Sequence, residues 1–449
     1  MIMTDLRTFL AKLEENGEVV HISEPLSVEH EIAAALKRFD GGKVVVAENV
    51  KGYAAKVVGG VCGTRGRILD ALGVEAGDLY GHLQSAIKNP TPCEVGDGPV
   101  KEVLLDSPKT TDFPVLTHFE GDPGPYFTSA IVYVRSPDGS VENVSFHRLL
   151  VIGERRLAIR VVPRHLYRIM QMAREAGLES LDVSISVGVH PAVYVSCSSP
   201  APFGVSEFEI ANTLLDGGLR LTECAHVDAL APADAELVLE GRLMVNEEVA
   251  EGPFVDLSGT YDIERMQPVI ELVGAMHRAD YMYEALLPSS AEHRLLMGMP
   301  REVRIWEYVR GVVPTVRGVN MTVGGMGWLH AVVSFEKFRE GDPKNVLMAI
   351  FAAHPSLKHA IVVDSDIDPY NMEEVEWAIA TRFRGDEDLM VIPHVRVSSL
   401  DPVSDQEKEL GCKVGVDATK PLDGGGFIRP GIPVSDEVKE ILDKYSRGS

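Results

Sequence analysis

Residues 143–162 read Asn143-Val-Ser-Phe146-His147-Arg148-Leu-Leu-Val-Ile152-Gly153-Glu154-Arg-Arg-Leu157-Ala-Ile-Arg160-Val-Val162. Two β-rich runs, 148–152 and 157–162, flank the turn signal Gly153-Glu154, so the stretch predicts a pair of antiparallel strands. Its neighbours extend the pattern. Residues 129–135 form another strand-like run, closed by the turn Ser136-Pro137-Asp138-Gly139. Runs at 183–187, 192–196, 236–243 and 268–277 follow, with one helical stretch at 207–215. Many strands at close spacing with few helices predict a closed or sandwiched sheet in the middle of the chain.

The two ends read differently. Leu6, Phe9, Leu10 and Leu13 make one apolar stripe, with Thr4 or Asp5 as cap and Gly17 as stop. A second amphipathic segment at 28–39 and short strands at 43–47 and 55–60 complete an N-terminal α/β unit ending near Pro108. Beyond residue 329, strands at 329–336 and 358–364 alternate with helices at 343–353 and 371–382, the rhythm of a covered, largely parallel sheet. Residues 436–445 predict a final amphipathic helix with Val438, Ile441 and Leu442 on one face. The predicted fold class is therefore mixed α+β and α/β. Its units are residues 1–110, 111–310 and 311–430, with 431–449 as a helix for contact between subunits.

Composition narrows the function classes. The 449 residues carry a formal net charge of −24, which disfavours nucleic-acid binding, because that needs a basic footprint. No apolar run approaches the roughly 18 residues that span a bilayer. The N-terminus shows no basic and apolar signal pattern, so a cytoplasmic location is expected. The five cysteines are scattered and never spaced as C-x-x-C, which reads as reduced core thiols.

Five constellations can carry chemistry. In Asn143…His147-Arg148, an arginine opens an otherwise apolar strand, where it must find a partner or snorkel to an edge. In Arg160-Val-Val-Pro163-Arg164-His165, cations gather between a strand and a helix, a favourable place for phosphate. Ser206-Glu207 opens a helix, where an acid also suits the helix dipole. Asn143, His165 and Glu207 together are a nitrogen and oxygen set for Mn²⁺ or Mg²⁺, though their spacing alone does not assign it. Glu251-Gly-Pro-Phe254-Val255-Asp256 places two carboxylates on a tight turn that can aim both into one cavity, unless it is a solvated acidic turn. Finally, a strand ends in Asp364-Ser-Asp366-Ile-Asp368. Such acids hold a metal in some phosphate-transferring enzymes, or cap a helix and pair with neighbours.

In this order, and over nearly the whole chain, these stretches resemble the UbiD family of decarboxylases, together with Gly324-Gly325-Met-Gly327 and Gly415-Val-Asp417-Ala-Thr419-Lys420. The resemblance implies a central split β-barrel like that of flavin reductases, between an N-terminal and a C-terminal α/β domain. It implies prenylated FMN, supplied by a flavin prenyltransferase and bound through Mn²⁺ (or Mg²⁺) and a monovalent cation such as K⁺. The matching positions give Asn143, His165 and Glu207 as metal ligands, and Arg148, Glu251 and Asp256 as the catalytic set. Phe146, His147, Arg148, Arg160, Arg164, His165 and Lys358 are expected around the cofactor. Homodimers or homohexamers are expected too.

The chain departs from the family pattern at Val255, where glycine is usual, at Asp256, where some members have Glu, and at Arg164, where some have Gln. Its compactness resembles archaeal-type members that decarboxylate trans-anhydromevalonate 5-phosphate to isopentenyl phosphate in a modified mevalonate pathway. The alternative substrate is an aromatic acid such as a prenylated 4-hydroxybenzoate. A third reading, from another class, is a metal-dependent phosphotransferase built on Asp364 and Asp366.

Overall fold

The structure is a computed structural model that describes residues 3–423, 426–427 and 430–446. The first helix, Leu6–Glu15, is capped by Asp5, whose carboxylate accepts the Thr8 N–H at 2.8 Å. Its stripe of Leu6, Phe9, Leu10 and Leu13 is buried as the periodicity predicts. It packs with a four-stranded sheet in the order Val19–Ile22, Val44–Ala47, Lys56–Gly59 and Met282–Glu284. The last of these strands arrives from far along the chain and pairs in parallel with Lys56–Gly59.

The middle of the chain builds a nine-stranded sheet. Residues 143–162 contain the expected antiparallel pair, Leu149–Gly153 and Arg156–Ile159. Two long strands, Leu237–Glu251 and Arg265–His277, run antiparallel through its centre. The path begins at Tyr126–Phe127 and ends at Glu142–Phe146, and these ends are not paired with each other. Among the described residues the sheet is therefore an open path, not a closed barrel.

One expected strand is a helix. Residues 192–196 lie within the helix Pro191–Ser198. Its valines and tyrosine favour strands, but Pro191 at the first turn and the His190 ring, which accepts the Ala192 N–H, start a helix. All eight residues are buried, so the run has no periodicity to distinguish the two states.

The C-terminal sheet runs Val316–Met321, His330–Phe335, His359–Asp364, Leu410–Ala418, Leu389–Arg396. Its three middle strands are parallel and both edges antiparallel, so it is parallel only at its centre. Between the central and C-terminal sheets lies a 20-residue helix, Ala291–Arg310, that the sequence reading missed. Gly327 explains its close seat. This residue has φ +64°, and a Cβ there would lie 2.5 Å from the Arg294 carbonyl oxygen. The helix Asp436–Ser446 leaves Val438, Ile441 and Leu442 exposed. Residues 447–449 of the expected terminal segment lie outside the described residues. No described helix is long and apolar enough to cross a membrane.

Candidate active site

A cavity of about 710 Å³ opens between the central sheet and the helix Ala291–Arg310. Asn143, Phe146, His147, Arg148, Arg160, Arg164, His165, Glu207 and Asp256 all line it. Residues scattered over more than a hundred positions thus share one wall.

At one end stands Arg148. Its Nε and Nη2 donate to the two oxygens of Glu251 at 2.8 and 2.9 Å. Its Nη1 donates to Asp256 Oδ2 at 2.8 Å. Glu251 is 0% exposed and also accepts the Tyr126 hydroxyl at 3.2 Å. Asp256 keeps 19% of its side chain exposed, so it is the carboxylate of the pair that reaches the cavity. The Arg148 guanidinium lies over the Phe254 ring, 4.4 Å from its centroid. Burial disfavours the guanidinium charge, but its carboxylate partners, Glu251 first, outweigh that and hold its pKa above the ordinary arginine value.

The loop carrying the two acids needs Gly252, whose φ is +101°. It continues into a hairpin in which Phe254 pairs with Asp262. The sequence reading missed Asp262, which approaches Arg148 Nη2 at 3.3 Å and pairs with Arg265 at 2.6 Å. Despite burial, Arg265 and Arg148 hold its carboxyl below the usual range. Counting two residues to a hairpin strand beyond Ser258-Gly259 was a signal that could have found it. Nothing local pointed to Tyr126, which comes from the edge strand Tyr126–Phe127 that pairs with Leu149–Gly153.

Asn143 donates to Ser145 Oγ at 2.9 Å, and Ser145 lies 2.8 Å from His147 Nε2. His147 Nδ1 lies 2.8 Å from the Arg160 carbonyl, an acceptor, so the ring proton sits on Nδ1. Burial pushes the His147 pKa down to about 4, which leaves Nε2 to accept the serine hydroxyl. The Asn143 amide nitrogen is thereby committed, while its oxygen makes no hydrogen bond among the described residues. Glu207 is buried, accepts the Val144 N–H at 2.8 Å and makes no ion pair among the described residues. Burial pushes its carboxyl up to about 8. His165 begins a helix and its pKa is lowered by burial and by Arg164 and Arg168. An amide oxygen, an imidazole and a carboxylate that line one cavity are the donor types a divalent metal takes, but no group of three or more His, Cys, Asp or Glu among the described residues is placed to hold one.

Lys358 is not among the residues that line the cavity, though Ser356 and Leu400 nearby are. It stands just before the strand His359–Asp364, and its ammonium pairs with Asp401 at 3.0 Å. Asp364 and Asp366 pair with neighbouring cations, as one of the two readings of the sequence expects. Both pair with the buried Arg382, at 2.7 and 2.9 Å, and Lys420 adds a second cation to Asp366. They are a neutralised strand end, and the phosphotransferase reading loses its centre.

The cavity also has a side that the sequence reading missed. Arg301 and Arg304 line it from the long helix, beside Arg164 and Arg396.

Comparison with known proteins agrees with this geometry. Three domain descriptions of 3-octaprenyl-4-hydroxybenzoate carboxy-lyase match in sequence: the N-terminal domain over residues 10–87, the Rift-related domain over 93–291 and the C-terminal domain over 294–418. Among solved structures, the UbiD-class enzyme HmfF from Pelotomaculum thermopropionicum in complex with FMN superposes with a TM-score of 0.95 at 39% identity, covering 98% of this chain and 100% of that one. An evolved dimeric form of HmfF in complex with prFMN gives a TM-score of 0.89 at 38% identity, covering 96% and 97%. The chain belongs to the UbiD family and is a carboxy-lyase, an enzyme that releases CO₂. Its curated relatives include the anhydromevalonate phosphate decarboxylases of Methanothermobacter thermautotrophicus, 44% identical over 93% of this chain and 97% of that protein, and of Methanosarcina mazei, 42% identical over 93% and 96%.

Proposed function

We propose that the chain decarboxylates trans-anhydromevalonate 5-phosphate, without net oxidation, to isopentenyl phosphate and CO₂. The observation that carries this is the corner where Arg148, clamped on both sides by buried Glu251, meets the more accessible Asp256 in a cavity large enough for a flavin and a small acid. The names of the relatives cited above favour the phosphorylated enoic acid over an aromatic one. The division into units 1–110, 111–310 and 311–430, with the open central sheet as the split barrel, belongs to the same reading.

The resident cofactor is prenylated FMN, whose role when bound is to take up the electron pair left by the departing CO₂. Asn143 Oδ1, His165 and Glu207 would hold Mn²⁺ (or Mg²⁺) at its phosphate, with K⁺ nearby. The N-terminus of the helix His165–Glu175 adds a favourable dipole. Arg148 orients the substrate carboxylate, and Glu251 fixes the guanidinium for that task. Asp256 then hands a proton to the product carbon. Phe254, buried between the Arg148 guanidinium and the Tyr126 ring, helps exclude water.

The test is coexpression with a flavin prenyltransferase, followed by CO₂ release from each acid. Preferred turnover of the phosphorylated enoic acid supports the reading, and preferred turnover of a prenylated 4-hydroxybenzoate sinks it. Glu207→Ala should lose both flavin and Mn²⁺ per chain, while normal occupancy of both removes the metal assignment. Asp256→Asn should release CO₂ in a single turnover and then stop. Self-association follows from the exposed face of Val438, Ile441 and Leu442; a monomer in light scattering at micromolar concentration counts against it.

A further inference from the structure

The helix Ala291–Arg310 turns one face to the cavity. His293, Met297 and Arg301 recur at intervals of four residues, and Arg304 follows one turn later. Arg301 is 8% exposed. Among the described residues it makes no hydrogen bond or ion pair, and its buried Nε has no partner. Its side-chain contact is the Trp328 ring, 5.4 Å from the guanidinium carbon. Its charged neighbours are cations, Arg164 and Arg304, and burial beside them pulls its pKa down to about 9, still charged at neutral pH. Among the described residues neither Arg164 nor Arg304 forms an ion pair, and Arg164 is exposed to the solvent of the cavity. His354 does not relieve the charge, since burial and Arg301 keep it neutral, with a pKa near 3.

A guanidinium cannot discard its proton to escape burial, and an unpaired buried charge is strongly unfavourable. Glu302, the next residue, keeps this helix face turned inward. It receives the Met321 N–H at 3.0 Å and pairs with Arg65 at 2.7 Å on the other side of the helix seat. Arg396, the fourth cation on this side, pairs with Glu409 at 3.3 Å, whereas among the described residues Arg301, Arg304 and Arg164 have no carboxylate of their own.

We propose that Arg301, with Arg304 and Arg164, is the subsite for the substrate's phosphate monoester, and so sets specificity for a phosphorylated acid. This rests on the reading of the reaction given above. His293 feels the Asp256 charge at the reacting end, and Arg301 lies eight residues further, about 12 Å of helix rise. Helical side chains lean toward the N-terminus, which brings the guanidinium back into reach of a short-chain phosphate ester. Its planar fork suits two phosphate oxygens at once. The cofactor's phosphate has its own proposed partners in Asn143, His165 and Glu207.

The test uses the flavin-loaded enzyme. The phosphorylated enoic acid is compared with the same acid lacking its phosphate, and flavin per chain is measured alongside. Arg301→Gln should keep flavin within twofold, while the ratio of kcat/KM for the phosphorylated over the unphosphorylated acid falls at least 20-fold. Arg301→Lys should recover part of that ratio. Loss of flavin with the ratio unchanged overturns the proposal and gives these arginines to the cofactor. Should Arg301→Gln not fold, Arg304→Gln decides: the ratio falls at least fivefold, and an unchanged ratio overturns the proposal. Inorganic phosphate separates this from the wider reading. It should raise the melting temperature of the loaded wild-type enzyme and not of the variant. That protection without turnover of the phosphorylated acid leaves the subsite standing and removes the assigned reaction. Absence of protection in the wild type overturns the subsite.

Discussion

Arg148 and Arg301 face the same cavity in opposite electrostatic states. Arg148 is saturated in charge: three carboxylates, Glu251, Asp256 and Asp262, take four of its five N–H donors and leave one on Nη1 for the substrate. Arg301 has none, and its nearest charges repel it. The difference teaches which end is finished by the protein and which awaits a ligand. A paired guanidinium is a positioned tool. An unpaired buried one is an unfilled site.

The largest effect should come from breaking the saturated end. Glu251→Gln should lower kcat by about 10³-fold, within the range for positioned acid–base groups, with flavin still bound. Arg148→Met should leave Glu251 buried without its partner and reduce stability by about 3–5 kcal/mol, read from urea unfolding. If both variants behave as wild type, the corner is not the reacting end and the comparison collapses.

A second prediction asks how an acid escapes what an arginine cannot. Glu292, on the same helix as Arg301, is buried and accepts the N–H groups of Gly60 and Cys62 at 3.0 and 2.6 Å, but makes no ion pair. Burial pushes its pKa up to about 7 from 4.5. The folded state therefore holds the proton more tightly than the unfolded state. The resulting stability is full below about pH 4.5 and is lost as pH rises through about 7, about 3.5 kcal/mol in all at roughly 1.4 kcal/mol per unit. Urea unfolding from pH 5 to pH 8 should show wild type losing most of this relative to Glu292→Gln. Parallel curves would mean that Glu292 stays charged at both ends.

The smallest effect sharpens the saturated end. Tyr126→Phe removes one hydrogen bond to Glu251 Oε1, worth about 1 kcal/mol. It should lower kcat about fivefold, leave KM unchanged and shift the pH–rate profile. A change in KM alone would mean that Tyr126 only shapes the cavity.

Much of the site was legible because its residues sit at places with local meaning. Arg148 opens an apolar strand, Glu251 and Asp256 flank a Gly-Pro turn, and Glu207 follows a helix cap. Other parts had no such mark. Tyr126 touches Glu251 from 125 positions away. Arg301 lies in a helix whose charged, mixed pattern hid its periodicity, and Lys358 looked available until the fold gave it Asp401.

By itself, the sequence determined the first helix, the central strands, the alternating C-terminal units and the order of motifs that marks the family. Those depend on side-chain period, caps and turns, which act over a few residues. Only the tertiary structure decided that the central sheet stays open, that 191–198 is a helix, and which charges are paired. Pairing and burial depend on what distant segments bring to one place, and the sign of an arginine's surroundings is a property of that place and not of its neighbours in the chain.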